Sequence, residues 1–164
     1  MGILYTTGDA TRPQGPGNRL ICHCCNDIGG WGSGFVVALS NRWAAPEKAY
    51  REWHRTGDCS GAPFELGEVQ FVPVDQTQGS QVWVANIIGQ HKTIARGEAT
   101  PVRYEALEKG FERVREFCQN CGFTAHMPRI GSGLARGDWS RIEEIINRVL
   151  VDEGSIEVTV YDLP

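Results

Sequence analysis

Residues 20–42 read LICHCCNDIGGWGSGFVVALSNR, and this stretch decides the fold class. Its first part, residues 20–25, is an apolar run of the kind that forms a buried strand. Four glycines follow at positions 29, 30, 32 and 34, and residues 35–42 then repeat apolar side chains at helical spacing. A buried strand, a glycine loop and a helix in this order indicate an α/β protein.

Alternating strand and helix patterns fill the rest of the chain. Short apolar runs predict strands, and apolar residues at steps of three and four predict helices. Ser140 and Glu143 form a capping-box pattern at the start of the last helix, whose apolar face runs to Leu150. We expect strands at residues 3–5, 20–25, 68–74, 81–88, 124–130 and 156–160, and helices at residues 35–42, 46–55, 101–118 and 140–150. With no repeat or linker, the sequence predicts a single α/β domain over residues 1–164.

Composition excludes several classes of protein. The 41% of hydrophobic residues suffices for a core, and no apolar run approaches the ~20 residues of a membrane span. Residues 1–11 show no export signal. The net charge of −4 is mixed, without the Lys/Arg cluster that binding to a nucleic acid backbone requires. We expect a cytoplasmic monomer that contacts no membrane.

Six cysteines raise the alternatives of disulfides and a zinc site. Disulfides are rare in proteins without an export signal. Zinc would need ligands from residues 22–25 (CHCC) to join Cys118 and Cys121. Residues 22–25 alternate between the two faces of a predicted strand, and Cys118 and Cys121 lack a second pair at matching spacing. We therefore expect reduced, mostly buried thiols and no metal.

A second segment repeats the design of the first. Residues 124–130 predict a strand, and Gly131, Ser132 and Gly133 end it before the next helical pattern. Glycine lets backbone N–H groups approach an anion, and a helix N-terminus adds partial positive charge. Two such loops at strand ends predict a crevice for a ligand that contains a phosphate. The alternative is that both are tight turns without a ligand, because neither matches the P-loop or dinucleotide fingerprint.

Several motifs together resemble the macrodomain, a family that binds ADP-ribose. Residues 8–11 (GDAT) resemble its opening Gly-Asp-x-Thr, and residues 23–34 (HCCNDIGGWGSG) resemble its first ligand loop. Residues 127–134 (MPRIGSGL), followed by Trp139, look like the second ligand loop of one branch. That branch includes the terminal ADP-ribose protein glycohydrolase, the antitoxin that reverses DNA ADP-ribosylation and a chromatin-remodeller macrodomain.

Residues 86–91 (NIIGQH) and 160–163 (VYDL) fit the same branch, so the resemblance covers nearly the whole chain. It implies a three-layer α/β/α sandwich on a central mixed sheet. No cofactor is implied.

The resemblance also implies a role for each part of the site. Asp9 would accept a hydrogen bond from the adenine amino group, the amides of the two loops would hold the diphosphate, and Asn26 would border the distal ribose. The residues it implies in ligand binding are Asp9, Ala10, Thr11, Asn26, Trp31, Gly32, Ser33, Gly34, Phe35, Gln90, Ile130, Gly131, Ser132, Gly133, Leu134, Ala135, Tyr161 and Leu163.

Each role has a structural alternative. Asp9 could cap a turn or helix, and Asn26 could be a turn residue, since both side chains commonly bond nearby backbone. His23, inside a strand, is better explained as a core residue with its hydrogen bonds satisfied than as a catalyst. Trp31, within a glycine loop, is hard to explain as part of the core.

The chain departs from the family at the catalytic positions. The glycohydrolase uses a lysine that forms a covalent adduct with the ribose, together with an aspartate in the second loop. Here the lysine position falls on Gly89 or Gln90 and the aspartate position on Ala135. Lys92 is displaced by two or three residues, which moves a side chain many ångströms along a strand.

The catalytic candidates are therefore side chains that could position a water molecule: Asn26, Asp27 and Gln90. Asp138 is instead placed to cap the helix that begins near Trp139.

Three functions follow from the resemblance. The first is hydrolysis of an ADP-ribosyl linkage, such as an ester on an acidic side chain or O-acetyl-ADP-ribose. The second is a phosphatase acting on ADP-ribose 1″-phosphate, and the third is a reader that binds ADP-ribose without chemistry. A small stand-alone chain favours the hydrolase, because a reader needs another domain to direct. The expected partner is ADP-ribose or an ADP-ribosylated protein, with nucleic acid only as an ADP-ribosylated end.

Overall fold

The computed structural model describes residues 2–164, so Met1, part of the segment in which no export signal was expected, lies outside the described residues. A six-stranded sheet runs through the molecule, and a two-stranded hairpin lies beside it. The order in the large sheet is β1-β8-β7-β2-β6-β5. The strands are β1 (Leu4–Thr7), β2 (Asn18–Asn26), β3 (Asp58–Cys59), β4 (Ala62–Pro63), β5 (Val69–Asp75), β6 (Val82–Gln90), β7 (Phe123–Met127) and β8 (Val158–Asp162).

Five strands of the sheet are parallel. β1 pairs with β8, β8 with β7, β7 with β2 and β2 with β6, all in parallel, while β5 alone pairs antiparallel, along the outer side of β6. The sheet is therefore mixed, as expected. All five parallel strands point their carboxyl ends to one side of the sheet, which is where α/β proteins place their ligands.

Helices cover both faces of the sheet, which gives the three-layer α/β/α sandwich that the resemblance implied. The helices are α1 (Phe35–Arg42), α2 (Ala45–Thr56), α3 (Tyr104–Cys121) and α4 (Trp139–Ile146), with a 3₁₀ turn at Ile94–Arg96. α4 continues as one π-helical stretch, Asn147–Asp152. The apolar residues predicted for its inner face are all buried: Ile142, Ile145, Ile146, Val149 and Leu150.

Side chains of β2 alternate between two hydrophobic cores. Leu20 and Cys22 belong to the core beneath α3 and α4, and Ile21 and Cys25 belong to the core beneath α1 and α2. This period of two is why the apolar run reads as a strand buried on both faces. All six cysteines are unpaired thiols.

Two features fall short of the predictions at element ends. The strand expected at residues 124–130 ends at Met127, because Pro128 has no N–H to continue the ladder. The expected helix at residues 101–118 begins at Tyr104 and reaches Cys121, ending at Gly122 in the left-handed conformation (φ 75°). The β3–β4 hairpin was not predicted, since two-residue strands carry no periodic signal.

The capping-box prediction at Ser140 and Glu143 is wrong. The N-cap of α4 is Asp138, whose side chain accepts a hydrogen bond of 2.9 Å from the Ser140 backbone N–H. Asp138 thus has the cap role predicted for it. In residues 2–164, no helix is both long and apolar enough to cross a membrane, and no three His, Cys, Asp or Glu side chains lie together as a metal site would need.

Candidate functional site

Every predicted site segment lies at the carboxyl end of a parallel strand or directly after it. Residues 8–11 follow β1, residues 26–34 follow β2, residues 90–92 end β6, residues 128–135 follow β7, and residues 161–163 end β8. Since these five ends share one side of the sheet, the fold brings the predicted segments into a single row. Four strand spacings of about 4.8 Å separate β1 from β6, so the row is about 19 Å long.

Asn26 organises the first loop, residues 26–34. Its Oδ1 accepts hydrogen bonds from the Ile28 and Gly30 N–H groups and from the Tyr50 hydroxyl, and its Nδ2 donates to the Gly30 carbonyl. The side chain is therefore occupied in shaping the loop, as the turn-residue alternative states. Its assignment as a catalytic residue stays a prediction.

Trp31 lies in the core, contrary to the expectation. Its side chain is 6% exposed, packs against His23 and Tyr50 at ring-centroid distances of 5.3 Å, and donates from Nε1 to Ser40 Oγ at 2.8 Å. The ring anchors the loop to α1 and α2. The sequence did not reveal this because the residues that enclose Trp31 come from three different elements, β2, α1 and α2.

His23 is a satisfied core residue, as expected. Its Nε2 lies 2.5 Å from Asn86 Oδ1, and burial lowers its pKa to about 4, an effect that the Asn86 hydrogen bond partly offsets.

The first loop ends at the start of α1 with the features of an anion site. Gly34 has a φ of 84°, which favours glycine, and no side chain caps the helix. Of the first-turn N–H groups, that of Val37 donates to the Gly34 carbonyl at 3.1 Å, and the helix N-terminus keeps the partial positive charge that favours an anion. Gly32, Ser33 and Gly34 are exposed, and Phe35 is half-buried.

The second loop differs from its prediction. It does not lead directly into a helix, because α4 begins eight residues after Gly131 and its end is capped by Asp138. The loop instead closes on itself, with the Gly137 N–H donating to the Gly131 carbonyl at 2.7 Å. Ile130 and Ala135 are buried and face the core, whereas Gly133 and Leu134 are exposed.

The two loops meet across the crevice. Leu134 is 55% exposed, and a Cβ added at Gly34 would lie 3.0 Å from its Cδ1 atom. A side chain at position 34 would be strained by the positive φ and would press on Leu134. The exposed parts of the two loops therefore lie against each other at the middle of the row, where the crevice is predicted.

At the β1 end of the crevice, Asp9 forms a turn. Its Oδ1 accepts hydrogen bonds from the Thr11 N–H (2.8 Å) and hydroxyl (2.7 Å), which is the turn-cap alternative. Arg42 of α1 donates to the Thr11 carbonyl at 2.6 Å and ties this turn to the first loop's helix. Ala10 and Thr11 are buried, so only Asp9 of this segment has a partly exposed side chain.

Tyr161 and Leu163 lie beside the Asp9 turn. The Gly8 N–H donates to the Asp162 carbonyl at 2.8 Å, which holds the end of β1 against the end of β8. Tyr161 is 3% exposed, and its hydroxyl bonds Gln14 N–H and His126 Nδ1 at 2.8 Å each. Leu163 is 79% exposed. Of this pair, Leu163 offers the larger free surface to a ligand.

The two positions on which the family lysine could fall, Gly89 and Gln90, lie at the β6 end of the crevice and differ in the space around them. A Cβ at Gly89 would lie 2.6 Å from Leu107 Cδ2 and 2.8 Å from Cys24 Sγ, inside the core. A side chain at position 89 thus has no room and could not reach a ligand. Gln90 is half-buried and donates from Nε2 to the Lys92 carbonyl at 2.9 Å.

A cluster that sequence reasoning missed lies at this same end. Asp27 accepts a hydrogen bond from the Lys92 N–H at 2.7 Å, and its other oxygen lies 2.7 Å from His91 Nδ1. A cavity of about 440 Å³ is lined by Ile28, Lys92 and Arg96. β6 ends at Gln90 and the chain turns at Lys92 (φ 56°), so strand spacing does not extend to Lys92, and the place of its side chain relative to a ligand stays a prediction.

No family model matches the chain. Two solved structures are similar over nearly the full length of both chains. One, a protein of unknown function from Bacteroides thetaiotaomicron, is 47% identical with a TM-score of 0.87, and 99% of each chain is covered. The other, a macrodomain protein from Streptomyces coelicolor, is 48% identical with a TM-score of 0.81, and 98% of each chain is covered.

The chain belongs to the macrodomain family. A third solved structure, of Thermosipho africanus DarTG in complex with ADP-ribose, shares the fold at 16% identity, with a TM-score of 0.70 over 89% of this chain and 38% of that one.

The curated relatives of this macrodomain carry names that state different activities. Chromodomain-helicase-DNA-binding protein 1-like from Mus musculus is 30% identical over 99% of this chain, which spans only 18% of that protein's length. ADP-ribose glycohydrolase OARD1 from Homo sapiens is 25% identical, with 98% of this chain and 91% of that protein covered. ADP-ribose 1″-phosphate phosphatase from Chaetomium globosum is 39% identical over 49 residues, 30% of this chain and 25% of that protein.

Proposed function

We propose that the crevice binds ADP-ribose lengthwise, with adenine at the β1 end and the distal ribose at the β6 end. The observation that carries this is the row of five parallel strand ends, with the uncapped start of α1 and the Leu134 loop at its centre. A row about 19 Å long suits a ligand with two end groups and a central diphosphate. The α1 N-terminus supplies the positive potential for that diphosphate.

The proposed roles follow this order along the crevice. Asp9 accepts from the adenine amino group with Leu163 against the base, the exposed parts of the two glycine loops hold the diphosphate, and Gln90 borders the distal ribose. The DarTG structure in complex with ADP-ribose, which has the same fold, supports the choice of ligand.

We also propose that the protein hydrolyses ADP-ribosyl linkages. In this reaction water directly attacks the C1″ carbon of the distal ribose. The named activity of the human glycohydrolase relative supports hydrolysis. Linkages to a carboxylate are favoured, because a carboxylate leaves without needing a proton. These are esters on acidic side chains and O-acetyl-ADP-ribose.

No covalent lysine adduct is expected during turnover. Position 89 is enclosed by core atoms, position 90 is glutamine, and position 135 is a buried alanine. Lys92 is the lysine to examine, because it lines the cavity at the β6 end. Mass spectrometry of acid-quenched turnover mixtures should find no ADP-ribosyl mass on Lys92, and a Lys92→Ala variant should keep its single-turnover rate. An adduct on Lys92 would contradict the direct-water mechanism.

A phosphatase is the second candidate, since Lys92 and Arg96 in the same cavity would favour a terminal phosphate. The named activity of the Chaetomium globosum relative agrees with this alternative. Incubating the protein with glutamate-linked ADP-ribosylated protein and, separately, with ADP-ribose 1″-phosphate distinguishes the candidates. Release of ADP-ribose from the first substrate alone supports the hydrolase, and release of phosphate from the second supports the phosphatase. Binding without release from either would leave a reader, as in a non-catalytic module.

A further inference from the structure

Asp27 and His91 form a contact between two neighbouring strand ends. Asp27 directly follows β2, and His91 directly follows β6, the adjacent parallel strand. His91 Nδ1 lies 2.7 Å from Asp27 Oδ2. Both side chains therefore stand at the end of the crevice where the distal ribose is proposed to lie.

This contact fixes which ring nitrogen of His91 carries the hydrogen. An ionised carboxylate only accepts hydrogen bonds, so Nδ1 is the protonated nitrogen of the neutral imidazole. Nε2 then has a free lone pair. The His91 side chain is 38% exposed and Asp27 is 17% exposed, so the carboxylate is shielded while the ring reaches solvent.

The first loop is joined to the chain after β6 without the help of the His91 imidazole. Asp27 Oδ1 already accepts the Lys92 N–H at 2.7 Å, which joins the first loop to the chain after β6. The His91 N–H donates separately to the Pro101 carbonyl at 2.8 Å. The second carboxylate oxygen is thus available to orient the ring, which is the arrangement of a base held in one tautomer by an acid.

We infer that His91 is the general base of the proposed hydrolysis and that Asp27 positions it. The inference rests on the proposed function. His91 Nε2 takes a proton from a water molecule as the water oxygen bonds to C1″ of the distal ribose. The bond from C1″ to the ester oxygen breaks, and the carboxylate leaves with the electron pair. The imidazolium then returns its proton to solvent, which leaves free ADP-ribose and the carboxylate.

The Asp27→Asn variant tests this sharply, because it keeps the shape and an oxygen for the Lys92 N–H. Its amide would donate to His91 Nδ1 and so place the ring hydrogen on Nε2, where it blocks proton acceptance. We expect Asp27→Asn and His91→Gln each to lower the single-turnover rate on glutamate-linked ADP-ribosylated protein by ~10²–10⁴-fold. The melting temperature and the affinity for free ADP-ribose, measured by calorimetry, should stay close to those of the wild type.

The pH dependence of the single-turnover rate separates a catalytic role of His91 from a structural one, because a structural role would leave this dependence unchanged. The charged groups that face His91 or follow it in the chain include Asp27, Lys92 and the Arg103–Glu98 ion pair beyond Pro101, and Arg96 lines the same cavity as Lys92. The wild-type rate should fall as the pH is lowered, because a protonated imidazole cannot accept a proton. His91→Gln should lose that fall.

His54→Gln is the matched control. His54 is another exposed histidine beside the first loop, next to Gly29, but its aromatic neighbour is Phe64 at 5.1 Å. It should keep the wild-type rate and pH profile. A wild-type rate and profile in both Asp27→Asn and His91→Gln would overturn the inference while leaving the hydrolase intact. An inactive wild type that still binds ADP-ribose would instead overturn the proposed hydrolysis, and the general base with it.

Discussion

Among single residues, Asp9 joins a structural and a proposed binding role in one side chain. Its Oδ1 bonds Thr11, and the same carboxylate is proposed to accept the adenine amino group. Asp75 makes the same two bonds to Thr77, at 3.0 and 2.7 Å, but β5 runs antiparallel and ends on the opposite side of the sheet. Asp75 therefore offers a measure of the turn contribution alone.

Asp9→Ala should weaken ADP-ribose binding by one to two decades, the equivalent of about 1.5–3 kcal/mol for a charge-assisted hydrogen bond. Asp75→Ala should lose about as much stability as Asp9→Ala, because each loses the same two turn hydrogen bonds, but it should bind ADP-ribose normally. Calorimetry and thermal melting of both variants give the comparison. If Asp9→Ala lowers only the melting temperature, Asp9 is a turn residue without a part in binding.

Residue identity in the crevice was predictable where backbone conformation imposes it, as at Gly34. It was not predictable where distant elements converge. Trp31 is buried by Tyr50 and His23, and His91 is oriented by Asp27, 64 residues earlier in the chain. No local pattern in the sequence carries such contacts.

At the scale of elements, periodicity located α1 at residues 35–42 and the inner face of α4. The ends of elements were harder to predict, because Asp138 and Ser140, two residues apart, are both residue types that cap helices. Asp138, rather than Ser140, caps α4. The second loop was predicted to lead directly into a helix because its glycines resemble those of the first loop. The glycine spacing could not show that eight residues, 131–138, form an irregular loop before α4 begins.

The cap assignment predicts a difference between two variants. Asp138→Ala should lower the free energy of unfolding by about 1 kcal/mol, since the Ser140 N–H loses its acceptor. Ser140→Ala should cost less, because its hydroxyl caps nothing. Urea unfolding of both variants measures this, and equal losses would restore the capping box. ADP-ribose affinity should be unchanged in both, as the capped end of α4 lies outside the proposed binding row.

For the whole molecule, two buried histidines make stability depend on pH. Burial lowers the pKa of His23 to about 4, and burial together with Arg19 lowers that of His126 to about 4. In the unfolded chain both have an ordinary pKa near 6.5. Between these values the unfolded state binds more protons than the folded state, so the stabilisation present above pH 6.5 is lost as the pH falls towards 4.

The free energy of unfolding should therefore decrease by up to about 3 kcal/mol per histidine over this interval. Denaturant unfolding at a series of pH values measures the slope, and His126→Gln should reduce it. His54→Gln, which removes an exposed histidine, serves as the control. A slope that His126→Gln leaves unchanged would mean that His126 is protonated in the folded protein.

The order of the whole sheet was beyond prediction from the residues alone, because strand neighbours are set by packing across the entire chain. The α/β class followed from the strand–glycine–helix segments, and the layers and mixed sheet followed from the family resemblance. The location predicted as cytoplasmic, the monomeric state and the individual roles of the site residues stay predictions.

The central claim is that one crevice, spanning five strand ends, holds a complete ADP-ribose. Calorimetric titration with ADP-ribose and with AMP tests it most directly, because AMP fills the adenine end but lacks the diphosphate and the distal ribose. We expect micromolar binding of ADP-ribose and much weaker binding of AMP, and we expect Gly34→Val, whose side chain would press on Leu134, to weaken the binding of ADP-ribose. No heat and no thermal shift with ADP-ribose, or equal affinity for AMP, would contradict the account.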